Sequence, residues 1–551
     1  MTNSLAALWL AAAAAWGAPA TPETLERAVT AEIARSTAGL RQEGYPPPYY
    51  LSIRVSDTRR EEVRCGQGGA RWRSASRQLL ATPDVRVGSY ELDNHPLAPS
   101  ERYEGRELPD LDDERAIRHG LWLKLDEEYK SAAADFLRKQ ALRVRRGKTE
   151  YDTDDMTREK PVSAGPASPG EDFGAGREPA ESRCVALSAG LGLKEDLLGS
   201  YVEARRASQR NWFYDSDGAR VSYRSGWARL EAGAQALTAD GMRLSLLKTW
   251  MAPEVSGLPE EPELRARARE LLEDLTALQA AISTSPFNAP ALIDPSVGAA
   301  VLQALASRLS GEEQRNPDGA QTFRDRLGKA VLPDFLSLED DPTLERYGGE
   351  PLLGAYAVDE QGVASQRVVL VERGVLKSYL LSRYPVLGFE RSNGHGRAAA
   401  GQVPMGRSSN LILRAEGGVP VAALLERLRQ EAAKRGKPYG LYIRKARTWS
   451  QQDKTGQQQA FRLLPTLVFL VDAKTGKQTL ARDLDMVGTP LDLAGRIVGA
   501  GDDPAVTHSL VEQPSGSLPV STVCPTLLLT EVELQRSESK PERPMVLPPP
   551  R

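Results

Sequence analysis

Histidine and cysteine are scarce in this chain of 551 residues, and each shortage excludes a class of chemistry. The four histidines, His95, His119, His395 and His508, stand at least 24 positions apart, so no helix presents two of them one turn apart as a HExxH zinc site requires. The three cysteines, Cys65, Cys184 and Cys524, form no CxxC pair and can close at most one bridge; the expectation is three unpaired, partly buried thiols. Excess charge of one sign is missing as well. With 71 basic against 74 acidic side chains the net charge is −3, which provides no long-range pull toward nucleic acid. Beyond the amino terminus no run approaches the ~20 apolar residues of a membrane span.

What is present begins with Leu5 to Trp16, an apolar run too short to cross a bilayer but suited to a signal-peptide core. Ala18-Pro19-Ala20 supplies small residues for cleavage before Thr21, so residues 1–20 are expected to direct export to the periplasm or another extracytoplasmic space, although no Lys or Arg precedes the run.

Beyond it, helical and strand periodicities follow one another, the mark of an α+β protein. Helices are expected over Pro22 to Leu40, Leu121 to Leu142, Pro262 to Ile282, Pro295 to Ser310 and Val421 to Arg435. Strands are expected where Leu51, Ile53 and Val55 alternate, around Leu79 to Tyr90, near Arg220 to Tyr223, over Met242 to Leu247, and from Pro525 to Leu534. Hairpin turns are read at Asp359 to Gly362, Glu372 to Gly374 and Asp472 to Gly476, which makes the carboxyl-terminal sheets antiparallel. Residues 152–182, rich in proline, glycine and charge, read as a mobile insertion, and the stretch Ser283 to Pro290 reads as a boundary. Two domains are therefore predicted, an α+β unit over 21–285 and a mainly antiparallel unit with helices over 288–536, followed by a disordered proline-rich tail at 537–551.

Three motif matches carry little. Gly394 to Ala399 fits GxGxxA but lacks the strand before it and the long helix after it that a dinucleotide loop needs. Ser245 to Lys248, Ser408 to Asn410 and Lys454 to Gly456 follow the order of a penicillin-binding serine site, yet Ser245 and Lys248 lie in a strand-like run instead of at a helix start. The adjacent pairs Asp340-Asp341 and Asp502-Asp503 read as turn residues whose carboxylates diverge. His395 and Arg397, on a glycine-bracketed loop, are the better candidates for contact with a ligand.

Taken in order, Leu338 to Leu344, Asp359 to Gly362, Val375 to Leu380, Ser392 to Arg397, Pro404 to Asn410 and Gly516 to Val520 with Pro525 to Leu527 resemble the TldD/PmbA family of metallopeptidases and partner subunits. The resemblance covers roughly Pro290 to Leu534, and it is looser in the amino-terminal half, through Val85 to Tyr90 and Leu92 to Asn94. It implies a dimeric two-domain α+β fold whose active subunit carries zinc on a HExxxH helix. Leu309-Ser310-Gly311-Glu312 looks like the family's Leu-Glu-Gly-Asp, and counting back from it sets Leu302, Gln303 and Ser307 where the first histidine, the glutamate and the second histidine would stand. Leucine cannot bind metal, glutamine cannot act as a base and serine is a poor zinc ligand. The family's further metal-binding cysteine also has no counterpart, and His508 alone lies near its place.

The resemblance therefore implies a PmbA/TldE-type subunit without zinc or other cofactor. Such a subunit binds peptides or unfolded polypeptide, or a HExxxH-bearing homologue, as a homodimer or heterodimer in proteolysis or peptide maturation. His395, Arg397, Arg407, Ser409 and Asn410 are the expected contact residues. The alternative is an active hydrolase with groups of its own, such as a Ser245/Lys248 acyl-transfer site.

Overall fold

The computed structural model describes residues 19–96, 105–147, 153–164, 178–192, 197–316, 322–448 and 461–536. Residues 1–18 of the expected signal peptide (1–20), the tail at 537–551 and the Lys454 to Gly456 motif lie outside the described residues.

Helix α1 (Pro22–Gly39) starts at Thr21, whose hydroxyl accepts the Thr24 N–H and caps the first turn. Strands β1 (Pro48–Gly66) and β2 (Gly69–Val87) then form one long antiparallel hairpin. Leu51, Ile53 and Val55 pack on α1 and on α2 (Glu114–Arg146), as their alternation predicts. The strand runs well past Ser56, however. Its polar alternates are also buried, so the apolar period that marks a half-exposed strand fades while the ladder continues. Helix α3 (Glu178–Leu191) and strands β3 (Leu197–Asp215), β4 (Arg220–Leu237) and β5 (Arg243–Ala252) complete the unit, followed by α4 (Glu261–Gln279). The main sheet order is β2-β1-β3-β4-β5, antiparallel throughout.

Two expectations are corrected here. Cys65, at the end of β1, is bonded to Cys184 on α3, 119 positions away, so only Cys524 remains a free thiol. The sequence does not show this pairing because the sheet alone brings the two residues together. The described part of the 152–182 stretch is also tied down: Asp155 and Met156 donate N–H to the Tyr90 carbonyl, Thr157 to the Arg383 carbonyl, and Ser163–Ala164 pairs with β4.

The carboxyl-terminal half opens with β6 (Phe287–Ile293) and α5 (Pro295–Ala306), and continues through α6 (Gly311–Arg315), β7 (Leu336–Asp340), β8 (Val368–Glu372), β9 (Asn410–Ala415) and α7 (Val421–Lys434). Strands β10 (Tyr439–Thr448), β11 (Phe461–Asp472), β12 (Gln478–Arg482), β13 (Leu484–Gly488), β14 (Ile497–Ala500), β15 (Ala505–Gln513), β16 (Gly516–Cys524) and β17 (Leu527–Arg536) follow. Strands β10, β6, β17, β13 and β11 close into a ring, since β11 pairs back with β10. A second sheet runs β8-β7-β9-β16-β15. The turns at Glu372 to Gly374 and Asp472 to Gly476 are antiparallel reversals as expected, but two pairings here, β9 with β16 and β6 with β10, are parallel. The Asp359 to Gly362 turn joins no long strands; it is a tight loop closed by the Val358–Ala364 bridge.

Helix α5 packs against β10, β15 and β16, and so touches both carboxyl-terminal sheets. It is apolar on nearly every side, through Val297, Ala299, Val301, Leu302, Leu305 and Ala306, which is the composition of a helix enclosed in a core.

Candidate functional site

On α5 the three positions of the expected zinc motif are committed to structure. Leu302 is 1% exposed within the main core. Gln303 donates from Nε2 to the Thr522 hydroxyl at 2.6 Å and accepts from the Ser408 hydroxyl at 2.8 Å, so its amide ties the helix to β16 and to the 404–410 loop. Ser307 turns its hydroxyl back onto the Ala304 carbonyl. The donor set of zinc, thiolate, imidazole or carboxylate, is missing from all three, and among the described residues no group of three or more His, Cys, Asp or Glu is placed to hold a metal ion. The residues present do not fit zinc.

The segments that carry the family resemblance converge around this helix as a buried polar network. His395, Arg397, Arg407, Ser409 and Asn410 all belong to it, and all are enclosed, with His395, Ser409 and Asn410 at 0% exposure. Nε2 of His395 lies 3.1 Å from Asp340 Oδ1, and Nδ1 lies 3.0 Å from Asn393 Oδ1. Each ring nitrogen thus faces an acceptor, and no lone pair is turned toward a substrate. Asp340 also takes the Ser409 N–H and hydroxyl. Asn410 accepts the Gly354 N–H and donates to the carbonyls of Asp341 and Leu344. These contacts correct the expectation of an open, ligand-facing loop: Gly394 holds φ +72° and Gly406 lies so near the Leu380 carbonyl that a Cβ would clash, which folds the loop inward.

Charges inside the network are held in two ways. Arg397 donates Nε to Glu360 at 2.7 Å and lies 4.0 Å over the Tyr356 ring. Burial alone would lower its pKa, but the Glu360 carboxylate outweighs that and holds it above the usual value. Arg407 has no carboxylate in ion-pair contact among the described residues; it donates to the Ser515 hydroxyl and to the carbonyls of Gly516 and Val511. Burial, with the neighbouring Arg397 charge, pulls its guanidinium down to about 9. Asp359 accepts the N–H groups of Gln361, Val363 and Gly396, and burial pushes its carboxyl up to about 7.

Neither of two serine arrangements forms a catalytic site. Ser245 and Lys248 lie on β5 three residues apart, hence on opposite faces, and Lys248 pairs with Glu270 at 2.8 Å. They do not form a dyad. Sequence reading missed Ser521, whose hydroxyl is 2.9 Å from His508 Nδ1, with His508 Nε2 3.4 Å from Glu350. The connectivity is that of a serine relay, but Ser521 is fully buried and its oxygen already accepts the Leu353 N–H, so it joins β16 to a loop. No spacing rule links the three, since they meet only through the sheet.

Comparison with known proteins follows the same lines. Residues 286–536 match the PmbA/TldA metallopeptidase C-terminal domain. A metalloprotease of Archaeoglobus fulgidus is 29% identical over 217 residues, 39% of this chain and 47% of that protein. One from Methanothermobacter thermautotrophicus is 30% identical over 188 residues, 34% of this chain and 37% of that protein. The matches thus span under half the length of these relatives. The crystal structure of TldE from Thermococcus kodakarensis superposes with a TM-score of 0.61 at 12% identity, covering 93% of this chain and all of that one, a likeness of fold.

Proposed function

Because the chain belongs to the TldD/PmbA family, we propose that it is a zinc-free subunit, which binds peptides or unfolded polypeptide, or pairs with a HExxxH-bearing homologue, in proteolysis or peptide maturation. Helix α5 carries this reading: Leu302 is core, and Gln303 spends both ends of its amide on Ser408 and Thr522, where a ligand and a general base would have to stand.

Recognition of varied peptides is supported by an open strand edge. The outer edge of β4 is covered by Ser163–Ala164 at Arg220–Val221 and by β5 from Ala228 onward; between them no strand among the described residues pairs with it. Beside this edge runs a groove of about 510 Å³, whose lining includes Trp212, Tyr214, Tyr223, Arg220 and Arg224. An extended peptide added there gains backbone hydrogen bonds that scarcely depend on its sequence, with aromatic and cationic side chains alongside. The five network residues then serve as the scaffold that holds the loops. The reading extends to an extracytoplasmic location, supported by the apolar leader and by the Cys65–Cys184 bridge, a bond that persists in oxidising compartments.

The test is metal analysis with reconstitution. The purified chain is expected to hold no stoichiometric zinc, and to form a complex with a HExxxH-bearing homologue that cleaves unstructured peptides. One tightly bound zinc per chain, with cleavage by this chain alone, overturns the proposal.

A further inference from the structure

A cavity of about 50 Å³ lies where the amino-terminal sheet meets the carboxyl-terminal loops. One wall is the polar face of the β1–β2 hairpin, with Ser52, Arg54, Asp84 and Arg86; the other is made by Glu360, Arg383 and Tyr384. Three arginines border this small space, and their charges are not equally balanced. Arg86 has Asp84 and Asp93, and Arg383 has Asp215 and Asp217 within 4 Å. Glu360 is spent on Arg397 and on the Tyr223 hydroxyl. Arg54 is 4% exposed, and among the described residues its Nη2 donates to the carbonyls of Ala399 and Gln402 and to no carboxylate. Its Nε and Nη1 are buried without an acceptor among the described residues, as is Nε of Arg383. A buried guanidinium without a counter-charge is costly, and it is the natural partner of a carboxylate.

We propose that this cavity binds a carboxylate monoanion, held by Arg54 between the two halves of the chain. One uncompensated positive charge calls for one negative charge. The volume limits the size: a cavity of roughly 150 Å³ takes the six heavy atoms of benzene, so one of about 50 Å³ takes two or three, which admits a carboxylate group and excludes a tetrahedral phosphate with its five. The site is separate from the β4 edge and does not depend on peptide binding there. A carboxylate of this size is either a free small acid or the end of a chain that reaches in.

Titration calorimetry and thermal melts of the full chain with sodium formate and sodium acetate, against sodium chloride at equal ionic strength, test this. A saturable site, one per chain, with a melting temperature that rises and levels off, is expected for the carboxylates alone. Affinity is expected to fall at least tenfold in Arg54→Gln. A response that is linear and equal in chloride, or unchanged binding in folded Arg54→Gln, overturns the proposal. Should that variant not fold, Ser52→Leu fills the cavity while keeping the guanidinium, and undiminished binding by it counts against the site. A crystal grown in formate decides the matter without any variant: formate against Arg54 upholds it, and water alone overturns it. Displacement of formate by a short peptide with a free carboxyl end, and not by its amide, assigns the source to chain ends; displacement by neither assigns it to a free acid, and both results uphold the site.

Discussion

His508 shows how a single side chain ties stability to pH. Its ring is 7% exposed, with Nδ1 on Ser521 and Nε2 3.4 Å from a half-exposed Glu350, too long and too wet a contact to hold a proton there. Burial lowers its pKa from 6.5 to about 4. A group whose folded pKa is depressed contributes its stability above the unfolded value and loses it as pH falls toward the folded one. Denaturant titrations are therefore expected to show stability declining between about pH 6.5 and 4, by up to ~3 kcal/mol from this histidine, and His508→Gln is expected to flatten that slope; an equal slope in the variant removes His508 as the cause. His508 also marks the limit of sequence reading at this scale. The types His395, Arg397, Arg407, Ser409 and Asn410 and their clustering were legible as a special constellation, but not that they face inward, because a glycine-bracketed loop has the same composition whether it meets solvent or a core. The missing zinc ligands at Leu302, Gln303 and Ser307 were legible, since those identities alone exclude the chemistry.

At the scale of elements, the five helices that were expected are present, helix α3 (Glu178–Leu191) was not foreseen, and strands were read short. Helix α4 was found from the seam Leu264, Ala268, Leu271, Leu275 and Leu278, all of which pack in one cluster. The strands β1 to β4 are far longer than their apolar alternation suggests: β1 buries polar residues along much of its length, while the first half of β2 and long stretches of β3 and β4 are polar and partly exposed, so none of them keeps an apolar period to its ends. The Cys65–Cys184 bridge belongs to this scale, since it fastens the far end of β1 to helix α3. Closing a loop of that length restricts the unfolded chain by up to ~5 kcal/mol in the chain-entropy treatment. Thiol titration of the unfolded, unreduced protein is expected to count one thiol, Cys524, and three after reduction; the reduced protein is expected to melt several degrees lower. Three thiols without reductant, in protein prepared from an oxidising compartment, refute the bridge.

The two halves of the molecule meet through charge as well as through apolar contacts, with Phe213 and Val221 on Val358 and Leu467 in the amino-terminal core, and the charged part sets how they unfold. Arg86 on β2 reaches the Tyr384 hydroxyl across the junction, with Asp84 and Asp93 behind it. Arg383 returns the contact, donating to the Tyr50 hydroxyl and to the Thr157 carbonyl. His95 stacks on Tyr384 with ring centroids 3.6 Å apart, and Arg54 holds the carbonyls of Ala399 and Gln402. In such an interface each partner needs the other, because separation strands buried charges that were satisfied only in pairs. The intact chain is thus expected to melt in one cooperative calorimetric transition, although two separate sheet systems would permit two. Arg383→Ala removes the guanidinium but leaves Asp215, whose carboxyl burial already holds above its usual pKa, without its counter-charge. The loss, roughly 3–5 kcal/mol for a broken buried pair, falls on the junction more than on either core, so the variant's heat-capacity peak is expected to split or broaden. A single peak that only shifts downward, with its width unchanged, means that the halves are held together by contacts other than these arginines.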